Sequence, residues 1–224
     1  MPRMARRAQP GRLATQLNLQ EFHSLKEELS QWRIDPQIQE MERERPGGII
    51  LGFVKGLRLS AKLIYAIREH LSEYELEVDW GHLLTEEGTS CSPECDIIIH
   101  LPGHWREWDG HEDKIMDFKF IKCERAIAVI SCKSFINAVD REYPRKISPY
   151  VDKVLLFAEC CEPNAVGRLK RSAVSAGYEG FWYLYACSQT TSQCTVDPEQ
   201  WEDFLHTLRS IARGHSRRRR RYGR

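Results

Sequence analysis

The sequence predicts an α/β fold, a mixed central sheet flanked by helices. Two observations carry this. Apolar runs of strand length (CDIIIHL at 95–101, AIAVISCK at 126–133, VLLFA at 154–158, FWYLYAC at 181–187) alternate with stretches whose apolar residues recur at helical spacing. Turn-forming residues such as Pro46-Gly47-Gly48 and Gly177 punctuate the junctions. A strand buried on both faces by packed helices reads as a continuous apolar run, which is the pattern here.

Taken in chain order, residues 1–16 read as a flexible basic arm. Asn18 followed by Glu21 is a capping-box pattern, and Phe22, Leu25, Leu29 and Trp32 then share a helical period. Pro36 breaks or kinks that helix, and a polar helix continues to about Arg45. This gives an N-terminal helical segment over 17–46, a main domain over 47–212 and an Arg-rich tail over 213–224. A longer helix is predicted from Ile49, with Leu57, Ala61, Ile64, Ile67 and Leu71 on one face. Residues 74–84 alternate and read as a strand, 85–93 as a loop, 95–101 as a strand and 102–117 as a long exposed loop. The strand at 126–133 is the most apolar, and a helix interrupted near Pro144 and Pro149 is expected over 134–150. After the strand at 154–158 comes a helix at 165–176, closed by Gly177. The strand at 181–187 precedes a last helix, with Pro198 at its first position and Trp201, Leu205 and Leu208 as its apolar stripe.

The chain has 224 residues and a formal net charge of +1, but the charge is unevenly spread. The first and last twelve residues hold 11 of the 33 basic side chains and no acid. The 200 residues between them carry 22 basic and 32 acidic side chains, so the body stands near −10 between two cationic ends. Such a body does not coat itself in nucleic-acid phosphate as a histone-like protein does. No apolar run approaches the length of a membrane helix, and no membrane partner is expected. The N-terminus has no signal-peptide pattern, and Cys132, Cys160 and Cys187 fall in or beside apolar runs, where a reduced thiol acts as a small hydrophobe. Mostly reduced thiols and a cytoplasmic location are therefore expected. Cys91 and Cys95, with His100 and His104 following, leave a zinc-stabilised scaffold as a third reading, although no second tight pair answers them.

Two strands carry polar groups where a buried strand has no place for them. Glu94 and Asp96 are two apart and share one face; Ser131 and Lys133 do the same on the next apolar strand. A lysine ending the most apolar strand is costly without a partner, and Asp96 is the natural one. Pairing the two strands gathers an acid, a hydroxyl and an amine around one point.

The segments SPECDIIIH at 92–100 and AVISCKS at 128–134, in their helix–hairpin–strand–helix–strand order, resemble the PD-(D/E)XK nucleases of restriction and repair. They are especially similar to a bacterial branch whose strands read D-I-I-I and A-V-I-E-V-K-S. The resemblance spans about residues 57 to 187. It implies the restriction endonuclease-like αβββαβ core with an N-terminal helical attachment. It also implies a metal-dependent nuclease, using Mg²⁺ or Mn²⁺ to hydrolyse phosphodiester bonds, expected to be those of DNA, in defence or genome maintenance. Asp96 would then ligate the metal, Cys132 would offer its backbone carbonyl, and Lys133 would position water or stabilise charge on phosphorus. The family's second acid falls at Ser131, and a hydroxyl is the poorer ligand for a hard cation. Glu94 and Glu142 are the leading substitutes, followed by Asp140 and Glu69. If none reaches the metal, the chain is a catalytically degenerate module that binds nucleic acid or a partner protein. A homodimer fits either reading. The arginine run 217–221 reads as a nucleic-acid arm, a targeting signal or a solvated tail.

Overall fold

The computed structural model describes residues 49–103, 106–107, 118–188 and 194–222. The basic arm, the segment over 17–46, and His104, Trp105, Trp108 and His111 lie outside the described residues. The chain divides into two compact units, Met1–Leu51 and Gly52–Arg224. Helix α1, Ile49–His70, starts in the first and runs into the second.

The second unit is built on one sheet. Its strands are β1 (Glu77–Leu84), β2 (Cys95–His100), β3 (Arg106–Glu107), β4 (Phe118–Lys122), β5 (Ala126–Ile136), β6 (Val154–Cys161), β7 (Phe181–Cys187) and β8 (Cys194–Val196). The order across the sheet is β3-β4-β1-β2-β5-β6-β7-β8. The hairpin β1–β2 and the pair β2–β5 are antiparallel, whereas β5, β6 and β7 run parallel. Parallel neighbours need a crossover connection. Helix α2, Glu142–Ile147, lies in the first and α3, Val166–Ala176, in the second. Helix α4, Pro198–Tyr222, closes the chain and runs through residues 212 and 213 without a break. The expected mixed sheet flanked by helices is the architecture observed.

Side-chain alternation along the strands assigns the two faces. Leu156 and Ala158 of β6 pack with Ile98, Val129, Tyr183 and Ile147 and with Leu169 and Ala173 of α3. Phe157 points the other way, to α4, with its ring centroid 4.7 Å from Phe204 and 5.9 Å from Trp201. Leu59, Leu63 and Ile67 of α1 are fully buried.

Three details depart from the sequence expectation. The helix expected over 134–150 is confined to Glu142–Ile147, because β5 continues to Ile136 and pairs Phe135 with Cys160 and Ile136 with Cys161. Ladder hydrogen bonds to β6 outweigh the local helical pattern. Residues 118–122 form β4, parallel to β1, where no element was expected. Six of the cysteines, Cys91, Cys95, Cys123, Cys132, Cys160 and Cys161, are free, but Cys187 is disulfide-bonded, and the β7–β8 register sets it opposite Cys194. No helix among the described residues is long and apolar enough to cross a membrane.

Candidate active site

The β2–β5 seam positions the polar groups. Ile97 pairs with Ile130 and Ile98 with Val129. Continuing that register sets Asp96 opposite Ser131 and Glu94 toward Lys133, all on one face. Asp96 Oδ2 accepts a hydrogen bond of 2.8 Å from the Cys132 amide. Burial holds the Asp96 carboxyl above its ordinary range, against the pull of that amide and of Lys133. The neighbouring Glu94 carboxylate adds to the rise. Lys133 acts on Asp96 through its field, without an ion pair at contact distance among the described residues. Ser131 is fully buried, and its hydroxyl makes no hydrogen bond of normal geometry.

The candidates for a second acid fare differently. Glu94 is exposed and its Oε1 accepts from Trp80 Nε1 at 2.7 Å, across the β1–β2 hairpin. Glu142 points to Arg145, one helical turn on, at 3.2 Å in open solvent. Asp140 caps α2, accepting from the amides of Glu142 and Tyr143 at 2.9 and 3.2 Å. Glu69 is exposed on α1. The structure thus gathers Glu94, Asp96, Ser131, Cys132 and Lys133 and leaves the Glu142 carboxylate on Arg145. Burial and the adjacent Asp96 push the Cys132 thiol well above its ordinary value, so it is no thiolate nucleophile.

Two tyrosines complete the surroundings. Tyr143 of α2 donates from Oη to the Glu94 carbonyl at 3.4 Å. Its phenol is pushed well up, by burial first and then by Cys95 and Asp96. Tyr178 donates from Oη to the Asp140 carbonyl at 3.1 Å and is raised by burial and by the charges of Asp140 and Asp96. Sequence reasoning missed both: Tyr143 sits beside Pro144 in a short helix and Tyr178 follows the Gly177 cap of α3, and neither place marks a site in the sequence.

A fully buried carboxylate lies on β1 and was also missed. Asp79 accepts from Arg68 Nη2 at 2.6 Å, His100 Nε2 at 2.8 Å and Lys119 Nζ at 3.1 Å. The other ring nitrogen of His100, Nδ1, is 2.7 Å from the Leu101 carbonyl. Both ring nitrogens therefore face oxygen atoms, which fixes the ring between β1 and the chain leaving β2. Burial alone would raise Asp79, but His100 and Lys119 outweigh it and bring it down to about 2. Ligand atoms of Glu77, Asp79 and His100 lie within 4.8 Å of one another, close enough to hold a metal ion. Asp79, however, is already surrounded by protein cations, whereas Asp96 has none in contact among the described residues. This difference separates a structural hub from a site with coordination left to offer. Cys91 and Cys95 join no such group among the described residues, and His100 is committed to Asp79.

No protein-family model matches the chain, and no curated protein matches its sequence. Solved structures do match. NucC of P. aeruginosa ATCC27853 in its cAAA-bound form aligns with a TM-score of 0.53 and 10% identity, over 88% of this chain and 91% of that one. NucC of E. coli MS115-1, also cAAA-bound, aligns with a TM-score of 0.54 and 10% identity, over 93% of each chain. The chain has the NucC fold.

The donor set at the β2–β5 seam fits a hard divalent cation. It consists of oxygens: the Asp96 and Glu94 carboxylates and the buried Ser131 hydroxyl. Sulfur is present nearby only as thiols held protonated, so a soft metal has less to bind.

Proposed function

We propose that this protein is a metal-dependent nuclease that hydrolyses phosphodiester bonds of DNA at the Asp96–Lys133 site, in defence or genome maintenance. The observation that carries the proposal is Asp96. It is a half-buried, desolvated carboxyl with no cation in contact among the described residues, set across the strand seam from the buried Ser131 hydroxyl and on the face that carries Lys133. Burying a carboxyl this way costs stability unless a ligand compensates.

In this reading Asp96 and Glu94 hold Mg²⁺ or Mn²⁺, with the Cys132 carbonyl beside them. The metal supplies activation of water and neutralisation of charge on phosphorus. Glu94 is the better second acid than Glu142, since it already couples to Asp96 and among the described residues its carboxylate is held by Trp80 alone. Lys133 supplies a positive point charge for the attacked phosphate. Half-buried Tyr143 and buried Tyr178, both uncharged, shield the inner side from water, and Tyr178 holds the loop at Asp140.

Cleavage of double- and single-stranded DNA and of RNA, with Mg²⁺ or Mn²⁺, tests this. The assay is run with and without cAAA, the molecule named in the two NucC structures. Lys133→Ala and Asp96→Asn are each expected to lower the rate at least about 100-fold. Cleavage that survives both substitutions unchanged overturns the assigned site. A wild type that binds but cuts nothing moves the chain to the degenerate binding reading, which Ser131 at the acid position favours.

A further inference from the structure

Helix α3 carries Arg168, Lys170 and Arg171 and no acid, in a body that is otherwise strongly acidic. Leu169 and Ala173 turn into the core. The opposite stripe, Gly167, Arg168, Arg171, Val174 and Ser175, is exposed. Arg168 and Arg171 are one turn apart, where like charges repel by a few tenths of a kcal/mol, about 0.2 to 0.5. Folding gains nothing from that arrangement.

The stripe is fastened to the site. Arg168 Nη2 donates to the Asn137 carbonyl at 3.0 Å, which ties α3 to the chain leaving β5 just beyond Lys133. On that stretch Phe135 shares the Lys133 face of β5. It is 38% exposed, and Val174 is 62% exposed; the described residues expose few other large apolar side chains. Guanidinium groups with donors to spare, small residues that admit a close backbone and an exposed ring are what a nucleic-acid strand requires.

We propose that the α3 stripe and Phe135 form the track on which one strand of the nucleic acid lies, its phosphates on Arg168 and Arg171 and a base against Phe135. This surface rests on the nuclease reading for its position beside Lys133, but its test is separate. Full-length Asp96→Asn protein, with Ca²⁺ and no Mg²⁺, is titrated with a labelled duplex and a labelled single strand over a salt series. Adding Arg168→Ala with Arg171→Ala is expected to weaken binding at least tenfold at about 0.1 M salt. It should also lower the slope of log affinity against log salt by about 1 to 2. Arg171→Glu alone, at an exposed position with no bond within the described fold, should act in the same direction without touching the Asn137 contact. Phe135→Ala should weaken single-strand binding by about fivefold or more. Unchanged affinity and slope in both arginine variants overturn the track, even where Lys133→Ala abolishes cleavage. A wild type that never cuts, yet loses affinity and slope in these variants, sinks the nuclease reading and leaves the track standing.

Discussion

Among the residues, buried Asp79 and half-buried Asp96 make opposite use of the same chemistry. Asp79 neutralises Arg68 and Lys119 and meets His100, so its carboxylate is worth most when ionised. Its folded value of about 2 lies below the ordinary 3.8. The unfolded chain therefore binds more protons in that window, and stability falls as the pH drops through it. The contribution is fully present above about pH 4 and amounts to about 2 kcal/mol. Asp79→Asn should remove it and cost about 3–5 kcal/mol in urea unfolding at pH 7, since Lys119 and Arg68 lose their carboxylate. The variant should also lose less stability than wild type between about pH 4 and pH 2. An acid limb that is the same in both proteins would show that Asp79 is not the titrating group. Asp96 is pushed the other way, upward by burial, which outweighs the Cys132 amide and the field of Lys133. Strand alternation made Asp96, Ser131 and Lys133 legible as a group. The Asp79 hub was not legible, because three of its members come from α1, β2 and β4, and only the pairing of those elements brings them together.

The elements were read well where a segment's own pattern decides its state. Helices α1 and α3, the Gly177 cap with φ of 102°, Pro198 at the start of α4 and the strands β2, β6 and β7 all follow from local spacing. Reading failed where a neighbour decides. FKFIK at 118–122 alternates, but one of its charges, Lys119, turns inward to Asp79 and disguises the buried face. The end of β5 looked helical and became strand only because β6 extends beside it. The β1–β4 contact has a further requirement. The β1–β2 register shifts between Asp79 and Gly81, and a Cβ at Gly81 would lie 1.8 Å from the Lys119 carbonyl oxygen. That oxygen belongs to the backbone and cannot swing aside. Gly81→Ala should therefore cost at least about 2 kcal/mol, the upper part of the range for overpacking, and should loosen β4 first. Hydrogen exchange is expected to rise most in β3 and β4, with β6 and β7 protected. Uniform loss across the sheet would mean that β4 is no separate cooperative unit.

For the whole molecule, the division between an acidic body and cationic ends sets how a phosphate polymer is met. An acidic cleft attracts a divalent cation and repels nucleic acid until the cation is bound. Affinity for the polymer must then come from places where the sign reverses, among them the acid-free helix α3 and the arginine run at 217–221. The second can be removed without disturbing the fold if the cut is placed correctly. Ala212 is buried, and Arg213 Nε donates to Tyr74 Oη at 3.0 Å, so α4 is still tied to the body at that point. Deleting 217–224, rather than everything from 213, should leave the melting midpoint unchanged within about 2 °C. It should reduce the salt slope of nucleic-acid binding by at least about 2, in addition to the loss caused by the α3 substitutions, because the two cation sets neutralise different phosphates. A deletion that leaves the slope untouched would assign the tail to targeting and leave α3 as the body's own source of affinity. A deletion that abolishes the effect of the α3 substitutions would mean that the tail and the helix share one stretch of backbone.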